Sequence, residues 1–438
     1  MDILEAIQRI RSKRPERQRL LDYYMGKHDI LERKMRDPHK PNNRVVNNYA
    51  RLITDTMTGY FVGKPVVYGV PPGDDATLEV LQGIMDYNDE SDQNADLSDD
   101  MSIFGVAYEV LYVDRHHATG DPVIRFAKVC PLEMEIMYSE ALVPEMLGAV
   151  RYYETKDEAG DKMNLADVYS RDAIRRYKVE DDTLTLLEEW EHFFGDVPVV
   201  VYENGTRQIG DFEQIITLID AYNLMQSDGV NDAEEFVDSY LTLTGFSGAN
   251  GEDIERLKEE RILLLDQGDG ASWLVRNVND VAEQNRKDRI QEDIHRFSTV
   301  PNLSDEKFGS QLSGVAISYK LWGLETAVAK KERKFKRGLQ RRLELIFNVL
   351  RIRGVSYDYT QISMDFTRNI PANIPEIADM VSKLRSLVSD ETLRAQLPFV
   401  DDLRREEELL AQQMGEISIG DFDEILSSGG EAVTEDVS

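Results

Sequence analysis

Residues 59–65 are the part of this sequence that comes nearest to a phosphate-binding loop. Gly59 and Gly63 are followed by Lys64, and a lysine after a pair of glycines can reach the phosphates of a nucleotide. A Walker A loop has four residues between its glycines and Ser or Thr after the lysine, whereas here three residues intervene and Pro65 follows. The spacing therefore argues against nucleotide binding.

The six histidines are scattered along the chain, and His116 and His117 are the only close pair. Adjacent residues of a strand point to opposite faces, so this pair makes a poor metal site and fits a polar hairpin end better. His295 fits a helix surface or an interface between proteins. Because no nucleophile motif is present either, the sequence predicts no catalytic, cofactor-binding or metal-binding residues, and therefore no enzyme.

The composition of the 438 residues limits the partners of this protein. The formal net charge of -31 argues against tight, general binding of nucleic acid, but not against a surface along which DNA passes without adhering. The single cysteine, Cys130, excludes a disulfide framework and fits a reducing cytoplasm. No apolar run approaches the ~18 residues of a membrane span, so a membrane is not expected as a partner.

The charge is distributed unevenly. The segment 73–100 holds ten acids and no base, which suits either a protein-docking face or an ordinary solvated surface. The segment 330–342 holds eight bases and only Glu332 as an acid. These bases either touch DNA phosphates or pair with acids of the same or a neighbouring subunit, and the 82 acids of the chain favour pairing.

The sequence after residue 211 predicts a long helix. Apolar residues at steps of three and four predict one helix from Phe212 to Thr244, with a weak point at Asp228-Gly229. Its apolar stripe is narrow, so we expect it to pack against like helices of other subunits.

A hairpin and a returning helix are predicted next. Two apolar runs, 261–266 and 271–276, flank a Gly-rich turn and predict a hairpin. The pattern over 281–297 predicts the helix that returns. A hairpin at the tip of two long helices is expected to be exposed and accessible to other proteins, not buried.

The remaining pattern predicts an α+β chain. The expected elements are two short helices within 2–25, a helix at 45–60, a strand at 66–70, a helix at 75–87, a meandering antiparallel sheet between 106 and 202, a helix at 314–350, a strand at 357–366, a helix at 373–388, another that begins at Ser389, and a charged helix at 402–414. The acidic residues after 414 are expected to be disordered.

Five stretches of this sequence resemble the portal proteins of tailed bacteriophages of the siphophage type. They are PNNRVVNNYARLITDTMTGYFVGKPVVY at 41–68, FEQIITLIDAYNLMQSDGVND at 212–232, STVPNLSDEKFGSQLSGVAISYKL at 298–321, IPANIPEIADMVSKL at 370–384 and SDETLRAQLPFV at 389–400. The resemblance covers about nine-tenths of the chain in the family's order. It implies a portal fold with a mixed helix and antiparallel-sheet wing, a long-helix stem, an α/β clip and a helical crown.

The resemblance also implies domain boundaries by position. They are a wing at 1–211, a first stem helix at 212–245, a clip at 246–279, a second stem helix at 280–298, a tunnel loop at 299–313, a long helix and wing return at 314–370, a crown at 371–414, and an acidic tail at 415–438.

Three groups of site residues follow from these implied domains. The tunnel loop that would line a DNA channel includes Ser304, Asp305, Glu306, Lys307, Phe308, Gly309 and Ser310. The clip residues that would dock partners include Arg261, Leu263, Leu265, Asp269 and Trp273. The stem residues expected between subunits are Ile215, Ile219, Tyr222, Ile290 and Ile294.

The function implied is that of a ring, typically of about twelve subunits, at one capsid vertex. Double-stranded DNA would pass through it, weakly bound, during packaging and ejection. The implied partners are the large terminase subunit, a head-completion or tail adaptor protein, the major capsid protein and the scaffold. The implied location is the virion, after assembly in the host cytoplasm. A different head–tail adaptor or minor head protein is the alternative, and a DNA-packaging enzyme is disfavoured because it needs a phosphate loop.

Overall fold

A computed structural model describes most of the chain. The described residues are 2–35, 37, 40–157, 159–181, 183–237, 240–244, 270–274, 280–302, 314–369, 374–394, 397, 400, 403, 405–407 and 409–413. They fall into two compact units, one within residues 1–59 and 81–359 and the other within 60–80 and 360–438.

The described elements mix helices with short antiparallel strands. The helices are α1 (Ile3–Tyr24), α2 (Tyr49–Val62), α3 (Asp75–Tyr87), α4 (Glu90–Phe104), α5 (Ile216–Val237), α6 (Asp280–Ser298), α7 (Gly314–Ile352), α8 (Ile374–Leu384) and α9 (Asp390–Arg394). The strands are β1 (Val67–Gly69), β2 (Val106–Arg115), β3 (Pro122–Val129), β4 (Met134–Tyr138), β5 (Met146–Lys156), β6 (Lys162–Tyr169), β7 (Ala173–Glu180), β8 (Thr183–Glu191), β9 (Val199–Glu203), β10 (Tyr240–Thr244), β11 (Gly270–Leu274) and β12 (Ser363–Asp365).

The chain begins with one helix rather than the two short helices that were predicted. Asp2 caps α1 by accepting hydrogen bonds from the backbone N–H groups of Leu4 and Glu5. Pro15 lies inside the helix, although an interior proline costs about 3 kcal/mol. Buried residues on both sides of it, including Ile10 and Leu20, keep the helix continuous because packing outweighs this cost.

The region from β2 to β9 is antiparallel, as predicted, and its strands are divided between two sheets. The strand orders are β3-β2-β9 and β4-β5-β6-β7-β8. One apolar core contains residues of both sheets, including Tyr108, Met134 and Tyr169. A second core packs α1 against the five-stranded sheet.

Strand β4 was missed by the sequence pattern. It is short, and its central Glu135 is a charged residue in a buried position. Lys13 of α1 bonds both carboxylate oxygens of Glu135 at 2.7 Å, which satisfies the buried charge. Because Lys13 is distant in sequence, the local pattern cannot reveal this partner.

The long elements after residue 211 follow the prediction with one correction. Helix α5 is continuous through Asp228-Gly229 and ends at Val237, so the expected helix to Thr244 is too long. Residues 240–244 form strand β10, in agreement with their alternating Tyr, Leu and Thr residues. Helices α6 and α7 lie where they were predicted.

The second unit is built from short elements. Strand β1 pairs with β12 in an antiparallel ladder, in which Tyr68 lies opposite Met364. The rings of Phe61 and Phe366 stack at 5.4 Å between centroids. The strand predicted over 357–366 is limited to β12, and the helix predicted at 373–388 ends at Leu384.

Candidate functional site

Helices α5 and α6 pack against each other as an antiparallel pair. Gly229 lies so close to α6 that a Cβ atom there would be 2.9 Å from Lys287 Nζ. Toward the other end of the pair, the ring of Tyr49 makes edge contacts with both Tyr222 and His295. His295 is therefore half-buried at a helix contact, where its Nδ1 lies 3.0 Å from the carbonyl oxygen of Val300.

A two-stranded ladder follows the end of this helix pair. Strand β10 begins three residues after α5 ends, and β11 precedes α6 in the chain. The strands pair antiparallel from Tyr240 opposite Leu274 to Thr244 opposite Gly270. Trp273 lies opposite Leu241 in this register. The strand predicted at 271–276 is thus confirmed, but its described partner is β10; residues 261–266 lie outside the described residues.

A polar row on α5 holds the N-terminal segment 43–47. The side chains of Asn231, Ser227 and Asn223 each accept a hydrogen bond from a backbone N–H, those of Asn43, Val45 and Asn47 respectively, at 2.7–2.9 Å. Four residues of helix advance about 6 Å, and two residues of extended chain advance about 6.6–6.8 Å. The two spacings match, so every second N–H of the segment meets one residue of the row.

The end of this polar row is anchored by a buried histidine. Asn223 donates to Nδ1 of His28 at 2.8 Å, and Nε2 of His28 lies 3.0 Å from the carbonyl oxygen of Tyr23, which fixes the tautomer. Burial lowers the pKa of His28, which keeps the ring neutral and able to accept. That α5 holds the segment 43–47 was not predicted from the sequence. The available signal was the spacing of Asn223, Ser227 and Asn231 at i, i+4 and i+8 along the helix.

A fully buried arginine joins α7 to the rest of the first unit. Arg342 donates from Nε and Nη2 to the two carboxylate oxygens of Glu109, at 2.9 and 2.7 Å. It also bonds Glu90 at 3.1 Å and Asn94 at 3.0 Å. The hydroxyl of Tyr202 donates to Glu109 at 2.9 Å. The network spans α4, β2, β9 and α7, and such bidentate arginine–carboxylate pairs fix geometry as well as charge.

Other bases of the run 330–342 are paired within the chain as well. Their ion pairs are Lys331–Asp211 at 2.8 Å, Lys334–Glu203 at 2.7 Å, Lys336–Glu332 at 3.6 Å and Arg341–Asp196 at 3.0 Å. Of the two interpretations of this run, pairing with acids of the same chain is therefore correct for these four residues and for Arg342.

The stem residues expected between subunits lie mainly in the interior of the single chain. Ile215, Ile219 and Ile294 are buried, Tyr222 is buried against Tyr49, and Ile290 is half-buried. Side chains already covered by their own chain have little surface left for a neighbour. The buried residues therefore stabilise the fold around α5 and α6 within one chain, and a subunit contact at the stem stays a prediction.

The two other groups of predicted site residues cannot be placed side chain by side chain. The tunnel-loop residues Ser304–Ser310 and the clip residues Arg261, Leu263, Leu265 and Asp269 lie outside the described residues. Trp273 is placed only through the backbone of β11.

The histidine pair that the sequence analysis considered as a metal site packs against an aromatic side chain in the structure. His116 and His117 lie at the end of the β2–β3 hairpin, as the sequence indicated. Their rings stack with that of Tyr87. Within the described ranges, no group of three His, Cys, Asp or Glu residues is placed to hold a metal ion. Among those same residues, no helix is both long and apolar enough to cross a membrane.

The described chain is an α+β protein with a long helix pair, a strand ladder that follows this pair and a 39-residue helix held by a buried ion pair. Comparison with known families identifies the class of protein to which this architecture belongs. The family described as "Phage portal protein, SPP1 Gp6-like" matches residues 5–418. The chain therefore belongs to this family of phage portal proteins, and the resemblance found in its sequence is confirmed. A portal, or head-to-tail connector, role follows from this membership.

Individual relatives agree with the family match. The portal protein of Bacillus phage SPP1 is 26% identical over 428 residues, which cover 90% of this chain and 82% of the relative. The portal protein of Clostridium phage phiCD119 is 23% identical over 435 residues, which cover 92% and 93%. A solved structure titled "Neck of native GTA particle computed with C12 symmetry" has a chain with a TM-score of 0.45 and 11% identity, covering 80% of this chain and 88% of that one.

Proposed function

We propose that this protein assembles into a ring at one vertex of a phage capsid, and that double-stranded DNA passes through the ring during packaging and ejection. The observation that carries the proposal is the family match across residues 5–418. The role is structural, without a catalytic step, and its place is the virion after assembly in the host cytoplasm.

The implied domains become proposals with one revised boundary. Helices α5 and α6 form the stem, and residues 246–279 belong to the clip. Because β10 pairs with β11, residues 240–244 belong with the clip and not with the stem helix. Residues 1–211 and 314–370 form the wing, and 371–414 form the crown.

The clip is the proposed docking site for the large terminase subunit and then for the head-completion or tail adaptor. Deletion of 262–275 removes β11 and leaves β10 without its described partner. We expect the deletion to abolish terminase and adaptor binding in pull-down assays, while the capsid protein and scaffold still bind. If the deletion variant still bound both the terminase and the adaptor, the assignment of the clip as their docking site would be wrong.

The segment 299–313 is the proposed channel-facing loop. Its only base, Lys307, lies beside Asp305 and Glu306, so its contact with DNA phosphates is expected to be weak and independent of sequence. Gly314 is the first residue of α7, where proline is tolerated. We expect Gly314→Pro and Gly309→Pro rings to assemble normally but package DNA poorly. Normal packaging in both would remove the reason for a moving loop.

Negative-stain electron microscopy of the purified protein tests the proposal as a whole. We expect rings with a central channel, and particles of one copy at micromolar concentration in both low and high salt would contradict it.

A further inference from the structure

The bases of the run 330–342 on α7 divide into those paired with carboxylates of the same chain and those exposed to solvent. The five paired bases of the run have carboxylate partners in the same chain. The other three, Lys330, Arg333 and Arg337, are exposed. For these three, no carboxylate within ion-pair distance is found among the described residues.

The three exposed bases continue a row of exposed side chains along one face of α7. The row begins with Tyr319 and Trp322, which are 76% and 71% exposed. Steps of three and four residues connect these aromatic residues to Lys330, Arg333 and Arg337. We call these five residues the exposed row of α7. Tyr, Trp and Arg are enriched at the centres of protein interfaces, and this row combines two exposed aromatic rings with two arginines and a lysine.

The same unit carries a complementary acidic surface. Asp86, Asp89 and Asp92, at the end of α3 and the start of α4, are exposed. No base of the described chain forms an ion pair with them. They flank Glu90, which Arg342 reaches from the buried side of α7.

These two surfaces cannot meet within one chain. On a helix with 3.6 residues per turn, Arg333 points roughly opposite to Arg342. Because Arg342 faces α4, the exposed row faces away from the acids beside α4. Two different, complementary surfaces on one chain give a head-to-tail contact, which closes into a ring when the rotation permits.

We propose that the exposed row of α7 docks onto the Asp86–Asp92 surface of a second copy of this chain. This inference rests on the proposed ring and names its contact. Tyr319 and Trp322 contribute apolar burial, and the three bases orient the two copies and make the contact sensitive to salt. DNA phosphates are the other anionic partner for such bases, but they would leave the two aromatic rings of the row exposed.

The test uses charge reversal in the full chain. In Arg333→Glu/Arg337→Glu, ring formation measured by mass photometry should require a protein concentration about tenfold higher or more, since like charges then face each other. The matched control is Lys156→Glu/Lys162→Glu in the β5–β6 hairpin, which changes the net charge equally at exposed residues and should assemble as the wild type does. Far-UV circular dichroism checks that every variant is folded.

Restoration decides whether the acidic surface is the partner. Asp89→Arg/Asp92→Arg alone should also weaken the ring, and combining it with Arg333→Glu/Arg337→Glu in one chain should restore assembly. Normal rings from the Arg333→Glu/Arg337→Glu variant, or no restoration by the combined variant, would overturn the proposal. Normal rings that bind duplex DNA more weakly in fluorescence anisotropy would assign the row to phosphates instead. A wild-type chain that forms no rings would overturn the proposed function itself.

Discussion

Arg342 and Glu109 meet in the interior of the first unit with two hydrogen bonds between the guanidinium and the carboxylate, and neither side chain is exposed to solvent. Glu109 belongs to β2 and Arg342 to the long helix α7, so the pair connects residues far apart in the sequence. The ring of Phe126 lies 4.5 Å from the guanidinium carbon and closes the site from another strand. This pair fixes the position of α7 against the sheet, and Gly338 allows the close approach because a Cβ there would collide with Tyr202.

Removal of the buried arginine should destabilise the chain strongly. In Arg342→Met, the carboxylates of Glu109 and Glu90 lose their partner in a buried place, and such a loss costs about 3–5 kcal/mol. Urea unfolding at fixed protein concentration measures the change. Arg341→Met is the control: its partners Asp196 and Glu344 are partly exposed, so the cost should be about 1 kcal/mol or less. Equal losses in the two variants would contradict the assignment.

The polar row of α5 gives a second prediction, which concerns the attachment of segment 43–47. Asn223→Leu keeps the branched shape and the number of heavy side-chain atoms but removes the acceptor of Asn47 N–H and the donor to His28 Nδ1. Each buried group left without a partner costs about 1–3 kcal/mol. Hydrogen exchange followed by mass spectrometry should show faster exchange in peptides that contain residues 43–47.

The neighbouring residue supplies the control for this prediction. Leu224 is exposed on the same helix, so Leu224→Asn should leave the exchange of 43–47 unchanged. Unchanged exchange in the Asn223→Leu variant as well would show that the polar row does not hold the segment.

A third prediction separates the core of the helix pair from its surface. Ile219 has no exposed surface, so Ile219→Asp places a charge in an apolar interior and should prevent folding of the individual chain. Val230 lies on the exposed side of α5, and Val230→Asp should leave the chain folded. Circular dichroism and thermal unfolding of the two variants measure the difference. A folded Ile219→Asp chain with a normal unfolding temperature would place this residue at an interface after all.

The sequence was sufficient where the structure depends on periodicity. Helices α6 and α7 and most strands of the two sheets follow apolar spacings that a single segment displays by itself. The apolar periodicity gave the wrong element where the structure depends on contacts with residues distant in the sequence. Pro15 ends a helix by local rules, but burial of α1 against the sheet keeps it continuous. The spacing of apolar residues from 236 to 244 fits a helix, but residues 240–244 form strand β10 because β11 pairs with them.

The sequence pattern also does not show which charged residues form ion pairs in the folded chain. The run 330–342 indicates a basic helix, but the pattern alone does not tell which bases are paired. Arg342 and Arg337 are the same residue type in the same basic run, yet Arg342 is fully buried with Glu109 and Arg337 is exposed. The difference depends on which side of α7 faces α4 and β2, and this is a property of the packed fold.

The last prediction concerns pH and the buried carboxylate of Asp100. Burial raises the pKa of Asp100 from its ordinary value to about 7, and the nearby Asp96 and Asp99 add to the rise while Lys128 opposes it. Lys128 Nζ lies 3.7 Å from Oδ1, and Oδ2 has no hydrogen-bond partner among the described residues. Burial in this position favours the neutral, protonated form of the carboxyl group over the carboxylate.

The sign of the pH effect follows from this raised pKa. Between the unfolded pKa near 4 and the folded pKa, the folded chain holds a proton that the unfolded chain has released. The contribution of Asp100 to the free energy of unfolding is therefore lost as pH rises through this window, and it remains lost above about pH 7. Asp100→Asn removes this dependence, because the amide stays neutral at every pH. We expect the variant to be more stable than the wild type at pH 8, with the difference shrinking toward pH 4. Urea unfolding of both proteins at pH 4, 6 and 8 provides the measurement, and a difference that does not change with pH would show that Asp100 is already ionised in the folded chain across this range.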